Sequence, residues 1–267
     1  MSLITIDKTK CKKDGICAGE CPFSLIVDNK EDGFPELRPA AAKLCIRCGH
    51  CLAVCPHQAL TFDQTSPADC LNTNRKTLPS PEATRQLLME RRSIRTYRNK
   101  PVDREILSQI IDASRWAPSA KNMQPVNWLI IENPEEVKRL SGHVVEYLKE
   151  VKAYPGLIRA WDNGRDMVLR GAPHLAVAHA SAAKSLHPEI DSTIALTYFD
   201  LAAASHGVGT CWAGILMGAA DLGYQPLLDA LNLPEGHKVY GALMVGYPKF
   251  KYFRIPPRRE PIVTWRK

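Results

Sequence analysis

Seven cysteines crowd the first 55 residues of this 267-residue chain, at positions 11, 17, 21, 45, 48, 51 and 55, while Cys70 and Cys211 stand apart. The segment Cys45-Ile46-Arg47-Cys48-Gly49-His50-Cys51-Leu52-Ala53-Val54-Cys55-Pro56 has the spacing C-x2-C-x2-C-x3-C-P. One turn of chain then aims three thiolates at one cubane iron–sulfur cluster, and the fourth reaches toward another. A zinc ribbon would instead set two C-x2-C knuckles apart. The earlier segment, Cys11 to Pro22, repeats the pattern with Asp14 where the second cysteine should stand. A carboxylate is a harder ligand than a thiolate, so iron held by it is lost or exchanged more readily. Three outcomes follow at that position: Asp14 ligates a [4Fe–4S] cluster, the site holds [3Fe–4S], or Asp14 is solvated and the cluster absent. Cys70 and Cys211 read as plain thiols.

Three further groups carry binding chemistry. Arg91, Arg92, Ser93 and Arg95 place three guanidiniums and a hydroxyl within five residues, a set able to grip a phosphate through paired N–H donors. Ala117-Pro118-Ser119-Ala120-Lys121-Asn122-Met123-Gln124-Pro125 is a loop of small and amide residues. Asn122 and Gln124 can each donate and accept, as the pyrimidine edge and hydroxylated chain of a flavin require. Gly207-Val208-Gly209-Thr210-Cys211-Trp212-Ala213-Gly214 follows an Ala-rich stretch. Helix before glycines is the wrong order for a dinucleotide-binding turn; Gly209 and Gly214 instead offer backbone that a flat ring can approach.

The cysteine array resembles the bacterial two-cluster ferredoxins over residues 3–62. That resemblance implies a small pseudo-symmetric fold with two iron–sulfur clusters: Cys11, Asp14, Cys17 and Cys55 at one, and Cys21, Cys45, Cys48 and Cys51 at the other. The three later motifs, with the strand ending Gly246-Tyr247-Pro248, resemble the FMN-dependent nitroreductase family over residues 82–267. This second resemblance implies an α+β fold, a homodimer with interwoven ends, and one FMN at each of two sites built from both subunits. By motif, Arg91, Arg92, Ser93 and Arg95 take the FMN phosphate and ribityl chain. Pro118, Ser119, Asn122 and Gln124 line the isoalloxazine, and Ala213 and Gly214 meet its other side. A late basic residue for the phosphate falls among Arg254, Arg258 and Arg259. Tyr147, Tyr154, Trp161 and Arg165 lie where that family carries its variable substrate-side helices.

The elements that must position these groups follow from periodicity and punctuation. A ferredoxin-like domain is expected over residues 1–65, a linker broken by prolines over 66–81, and a flavin domain over 82–267. Residues 103–117 place Ile106, Leu107, Ile110, Ile111 and Trp116 on one helical face, with Asp103 as N-cap and Pro118 as the stop. Short apolar runs at 126–131, 175–178 and 240–245 read as buried strands. Residues 192–206 read as a helix burying Ile194, Ala195, Tyr198, Leu201 and Ala202, closed by Gly207 in the left-handed conformation. His174 and His179 flank a core strand and read as packed.

The composition, 45% apolar and 24% charged, supports real cores and excludes a disordered or collagenous chain. No apolar run approaches the roughly 18 residues of a membrane helix, and residues 1–10 lack a secretory core. A soluble cytoplasmic protein with reduced cysteines is therefore expected. The formal net charge of +7 is concentrated in a basic tail rather than spread along the chain, so no nucleic-acid partner is expected. The expected function is an oxidoreductase: electrons from a ferredoxin or other low-potential donor pass through two iron–sulfur clusters to FMN and on to a small organic acceptor, with nitroaromatics or quinones as probes. No catalytic side chain is required beyond those binding the cofactors. The alternatives are an NAD(P)H-fed reductase with auxiliary clusters, and an electron-transfer module without its own substrate.

Overall fold

The computed structural model describes residues 3–39 and 41–267. Met1 and Ser2, on which the expected first domain and the reading of residues 1–10 partly rest, lie outside the described residues. The chain divides into two compact units: residues through Leu78 with Lys121–Met123, and Pro79–Ala120 with Gln124–Lys267.

The first unit contains β1 (Ile4–Ile6), α1 (Ile16–Glu20), β2 (Ile26–Asp28), β3 (Pro35–Leu37), α2 (Ala41–Leu44), α3 (His50–Ala53) and β4 (Leu60–Phe62). β1 pairs antiparallel with β4, and β2 with β3. Its small core gathers Leu3, Ile4, Ile26, Leu52, Leu60 and Phe62 around Cys17. The backbone repeats itself at an offset of 34 residues. Gly15 and Gly49 precede α1 and α3 with φ of 71° and 72°, Lys13 and Arg47 share φ of 57° and 53°, and Ser24 and Gln58 share 49° and 52°. Glycine is required at two of these positions because the left-handed region penalises a Cβ.

The second unit is built on a four-stranded sheet in the order β5-β6-β8-β7, antiparallel throughout. Its elements are α4 (Pro81–Glu90), α5 (Arg104–Ser114), β5 (Asn127–Ile131), α6 (Pro134–Glu150), α7 (Pro155–Asp162), β6 (His174–Ser181), α8 (Pro188–Ser205), β7 (Gly209–Trp212), α9 (Gly214–Asp221), α10 (Gln225–Leu231) and β8 (His237–Gly246). With the first unit this makes an α+β chain. Caps explain several starts: Ser80 Oγ accepts from Ala83 N–H at 3.2 Å and Asn133 Oδ1 from Glu135 N–H at 2.9 Å, each ahead of a proline at the first helical position. Asp103 sits at the N-cap of α5, yet its side chain makes no capping bond.

Strand alternation sends β6 and β8 side chains to two cores. Leu175, Val177, Ala242 and Met244 join Leu140, Val144, Leu216 and Leu227 on one face. Ala176, Ala178, Leu243 and Val245 join Ile110, Leu196 and Phe199 on the other. Because both faces are covered, the strands read as continuous apolar runs rather than alternating ones.

The linker region carries two single 3-10 turns, Pro67–Asp69 and Arg75–Thr77, ahead of α4. Two expectations shift. Trp116 is 61% exposed because α5 ends at Ser114, before the helical face reaches it. α8 buries Ser192, Ala195, Leu196, Phe199 and Ala203, while Tyr198 is exposed and Ile194, Leu201 and Ala202 are half-buried. The helix is apolar nearly all round, so periodicity gave no unique inner face.

Beyond β8 the chain loses regular structure, and residues 251–267 are exposed throughout. Among the described residues no helix is long and apolar enough to cross a membrane.

Candidate functional site

The first unit presents two cavities, and the eight donors divide between them. One is lined by Cys11, Asp14, Cys17 and Cys55, the other by Cys21, Cys45, Cys48 and Cys51. All seven thiols are free. Among the described residues no three metal-binding side chains converge closely enough to hold a single ion; each set lines its own cavity. Repeated backbone explains the partition. The left-handed turns at Lys13 and Gly15, and again at Arg47 and Gly49, coil each loop around its own cavity, while Cys21 and Cys55, beyond α1 and α3, cross to the cavity of the opposite segment.

Backbone donors point at the crossing sulfurs: Leu25 N–H donates to Cys21 Sγ at 3.3 Å and Ala59 N–H to Cys55 Sγ at 3.4 Å. Such bonds stabilise negative charge on sulfur and tune a bound cluster. Burial pushes the Cys51 thiol up to about 11, with Cys48 and Cys45 adding to the rise, and burial also raises Cys17. Metal binding at these thiols therefore releases protons. Asp14 replaces the sulfur of Cys48 in the repeat. Its Oδ1 accepts from Ile16 N–H at 3.2 Å, and its Oδ2 lies 3.4 Å from His57 Nε2.

In the second unit, a cavity of about 470 Å³ opens where the arginine segment crosses β7. Ser93 bridges Thr210 in parallel, Ile94 N–H donates to Thr210 O at 2.8 Å, and Arg98 N–H donates to Tyr247 O at 2.9 Å. This seam places Arg91, Arg92, Arg98 and Lys251 around the space, against Glu90 and Asp200. Arg91 Nη1 lies 3.2 Å from Asp200 Oδ2. Arg92 Nη2 is buried without a hydrogen-bond partner, and a buried orphaned guanidinium nitrogen calls for an acceptor. The residues thus fit the phosphate end of a flavin nucleotide.

A second cavity, of about 430 Å³, is lined by Pro118, Ser119, Gln124, Trp128 and Asp191 among others. Ser119 Oγ accepts from Gln124 N–H at 2.9 Å, and Ala120 N–H donates to Asp191 Oδ1 at 2.9 Å. Asp191 Oδ2 is buried without a partner. Asn122 takes φ of 53° in the one-turn helix Ala120–Asn122 and belongs to the short segment grouped with the first unit.

The remaining expected residues lie elsewhere. Arg95 is exposed outside both cavities, as are Arg254 and Arg258 in the tail, where Lys251 is the basic residue that reaches the first cavity. Ala213 is buried with its N–H on Ala242 O at 2.9 Å, and Gly214 begins α9 with open space beside it. Gly209 lines the first cavity with its backbone, and a Cβ there would collide with Ile94 Cγ1. Tyr147 and Trp161 pack against the core, whereas Tyr154 and Arg165 are exposed. His174 is packed as expected, its Nε2 accepting from Val102 N–H at 2.8 Å. Burial lowers its pKa, and that of His179, whose ring meets His237 at 2.9 Å. Asp191 and Asp200 were missed by sequence reasoning; the signal available was an acid interrupting an otherwise apolar helix.

Residues 88–247 match the model of the nitroreductase family. The chain belongs to that family. Residues 9–60 match the 4Fe–4S dicluster domain, so this family member carries a ferredoxin-type iron–sulfur domain ahead of its nitroreductase domain. A relative from Bacillus subtilis named FMN reductase [NAD(P)H] is 30% identical over 172 residues, covering 63% of this chain and 67% of its own. The NADH dehydrogenase of Thermus thermophilus is 28% identical over 213 residues, 71% of this chain and 98% of its own. The crystal structure of a nitroreductase with bound FMN from Desulfitobacterium hafniense superposes with a TM-score of 0.57 at 22% identity, covering 69% of this chain and 98% of that one. The nitroreductase fold and oxidoreductase class of the chain rest on these matches.

Proposed function

We propose that this nitroreductase-family member is an iron–sulfur flavoprotein that takes electrons from a low-potential donor, such as a reduced ferredoxin, and delivers them to a small organic acceptor. The observation that carries the reading is the division of eight donors into two four-residue sets, each around its own cavity, in a chain that also holds a nitroreductase domain. Bound iron–sulfur clusters supply single electrons, and bound FMN supplies a carrier able to take one or two and release a hydride.

The protein's own groups do the placing. Cys11, Asp14, Cys17 and Cys55 hold one cluster, and Cys21, Cys45, Cys48 and Cys51 the other. Arg91, Arg92 and Lys251 hold the FMN phosphate, with Arg92 Nη2 gaining the acceptor it lacks. Pro118, Ser119 and Gln124 present the ring-facing wall. That wall and the phosphate cations line different cavities of one chain, which supports a homodimer whose two sites each draw on both subunits. The exposed Ile190 and Tyr198 of α8, and Phe253 and Trp265 of the tail, supply apolar surface for such an association.

Iron and acid-labile sulfide counts with EPR on anaerobically purified protein test the cluster assignment; two reducible clusters per chain are expected, and zinc or the absence of sulfide refutes it. The Bacillus subtilis relative's name favours a second reading in which NAD(P)H feeds the flavin directly. Stopped-flow reduction separates the two: fast flavin reduction by reduced ferredoxin supports the first, and fast reduction by NADPH alone the second.

A further inference from the structure

We infer that Asp200 is a positioning residue for phosphate recognition, acting through Arg91; this rests on the placement of the FMN phosphate in the cavity between the arginine segment and β7. A carboxylate beside a phosphate site is unfavourable unless it does something for the cations there. Asp200 has no water-facing role, since its side chain is 12% exposed and its partner Arg91's 27%. It stands in the body of α8, before the helix's last turn. A buried carboxylate in that position needs a cation.

Both carboxylate oxygens are committed. Oδ1 accepts from Thr210 Oγ1, and Oδ2 faces Arg91 Nη1 at 3.2 Å. Thr210 is 2% exposed on β7, and its carbonyl takes the N–H of Ile94, three residues after Arg91. The result is a closed circuit from α8 through Asp200 to β7, and from β7 back to the arginine segment. The ion pair holds one nitrogen of the Arg91 guanidinium beside Asp200 and leaves its other N–H groups for an anion. Arg92, with an unpartnered buried nitrogen, completes the pair.

The test is a cycle between side chain and ligand. Flavin-depleted full-length protein with its clusters retained is titrated with FMN and with riboflavin, which lacks the phosphate, following quenching of flavin fluorescence. The wild type is expected to prefer FMN. Asp200→Asn, which keeps an acceptor for Thr210 and loses the charge, is expected to weaken FMN about tenfold and leave riboflavin unchanged, the scale of one charged hydrogen bond. Arg91→Ala is expected to do the same, and the double variant to add nothing further, because Asp200 works through Arg91. Equal weakening of both flavins, an unchanged FMN preference, tighter FMN binding, or a double variant that sums the two losses overturns the inference. Equal binding of both flavins by the wild type instead removes the phosphate from this cavity, and the inference with it. Near-ultraviolet circular dichroism keeps a misfolded variant from counting as support; Asp200→Glu, which restores the charge, is expected to recover part of the preference.

Discussion

Gly209→Ala separates a packing role from a ligand-facing one. A Cβ at this position would stand 2.4 Å from Ile94 Cγ1, 2.8 Å from Ile94 Cβ and 3.0 Å from Pro248 Cγ. Carbon atoms rest at about 3.5–4.0 Å, so the shortfall is roughly 1 Å. Ile94 has little room to yield: it is buried, branched at Cβ and therefore stiff at χ1, and its N–H is fixed to Thr210 O at 2.8 Å. Overpacking of this kind costs about 1–3 kcal/mol. Replacing a strand glycine by alanine returns about 0.5–1 kcal/mol. The expected net loss is about 1–2 kcal/mol, and in a domain of this size about 2–8 °C in Tm. Thermal unfolding of flavin-depleted protein, compared with wild type in the same state, reads it out. An unchanged Tm together with weakened flavin retention would refute the reasoning, because it would mean the missing side chain makes room for the ring and not for Ile94.

Four further outcomes are expected. Arg92→Ala weakens FMN binding by about 2 kcal/mol, the scale of a charged hydrogen bond, and Arg95→Ala, outside the cavity, by much less; equal losses in flavin titration would contradict the placement. Cys48→Ala removes one cluster's worth of iron and sulfide, since four thiols share that cavity; full retention by iron assay and EPR would break the assignment. Asp14→Cys leaves the fold intact and raises retention of iron at the first site during chelator challenge, because thiolate replaces the harder ligand; faster loss than wild type counts against it. Stability falls as pH drops below about 6.5, the ordinary histidine value. Burial depresses the folded-state pKa of His174 and His179, so the unfolded chain binds more protons, and their contribution is complete above that value and lost toward lower pH. In urea unfolding at pH 7.5 and 5.5, His179→Asn is expected to shrink the difference; an undiminished slope would show that other groups set it.

How much was legible in the sequence differs between the two units. The ferredoxin part is local: thiol spacing and glycine positions make the two loops legible, and Cys11, Asp14, Cys17 and Cys55, a set that the resemblance to two-cluster ferredoxins implies, line one cavity. In the second unit the strands were legible because β6 and β8 are apolar on both faces, though each extends beyond the run that revealed it. The inner face of α8 was not, because Ile194, Tyr198 and Leu201 are as apolar as Leu196 and Phe199, and which side is covered depends on partners distant in sequence. Gly209 shows the same limit: a glycine announces that something approaches the backbone, but only the fold reveals that Ile94 does. Asp200 acquires meaning only when Arg91, more than a hundred residues earlier, is brought within 3.2 Å.

The 34-residue echo in the first unit makes the molecule its own control experiment. The two loops share left-handed backbone angles to within a few degrees at matching positions, and each is followed by an amide aimed at the crossing sulfur. What differs is chiefly chemical: a carboxylate beside an imidazole on one side, a thiol on the other. A disparity between the two centres in midpoint potential, air sensitivity or metal exchange then reflects their ligands and cavity linings, Lys12 and His57 beside one and a more apolar wall beside the other, on loops of matched backbone.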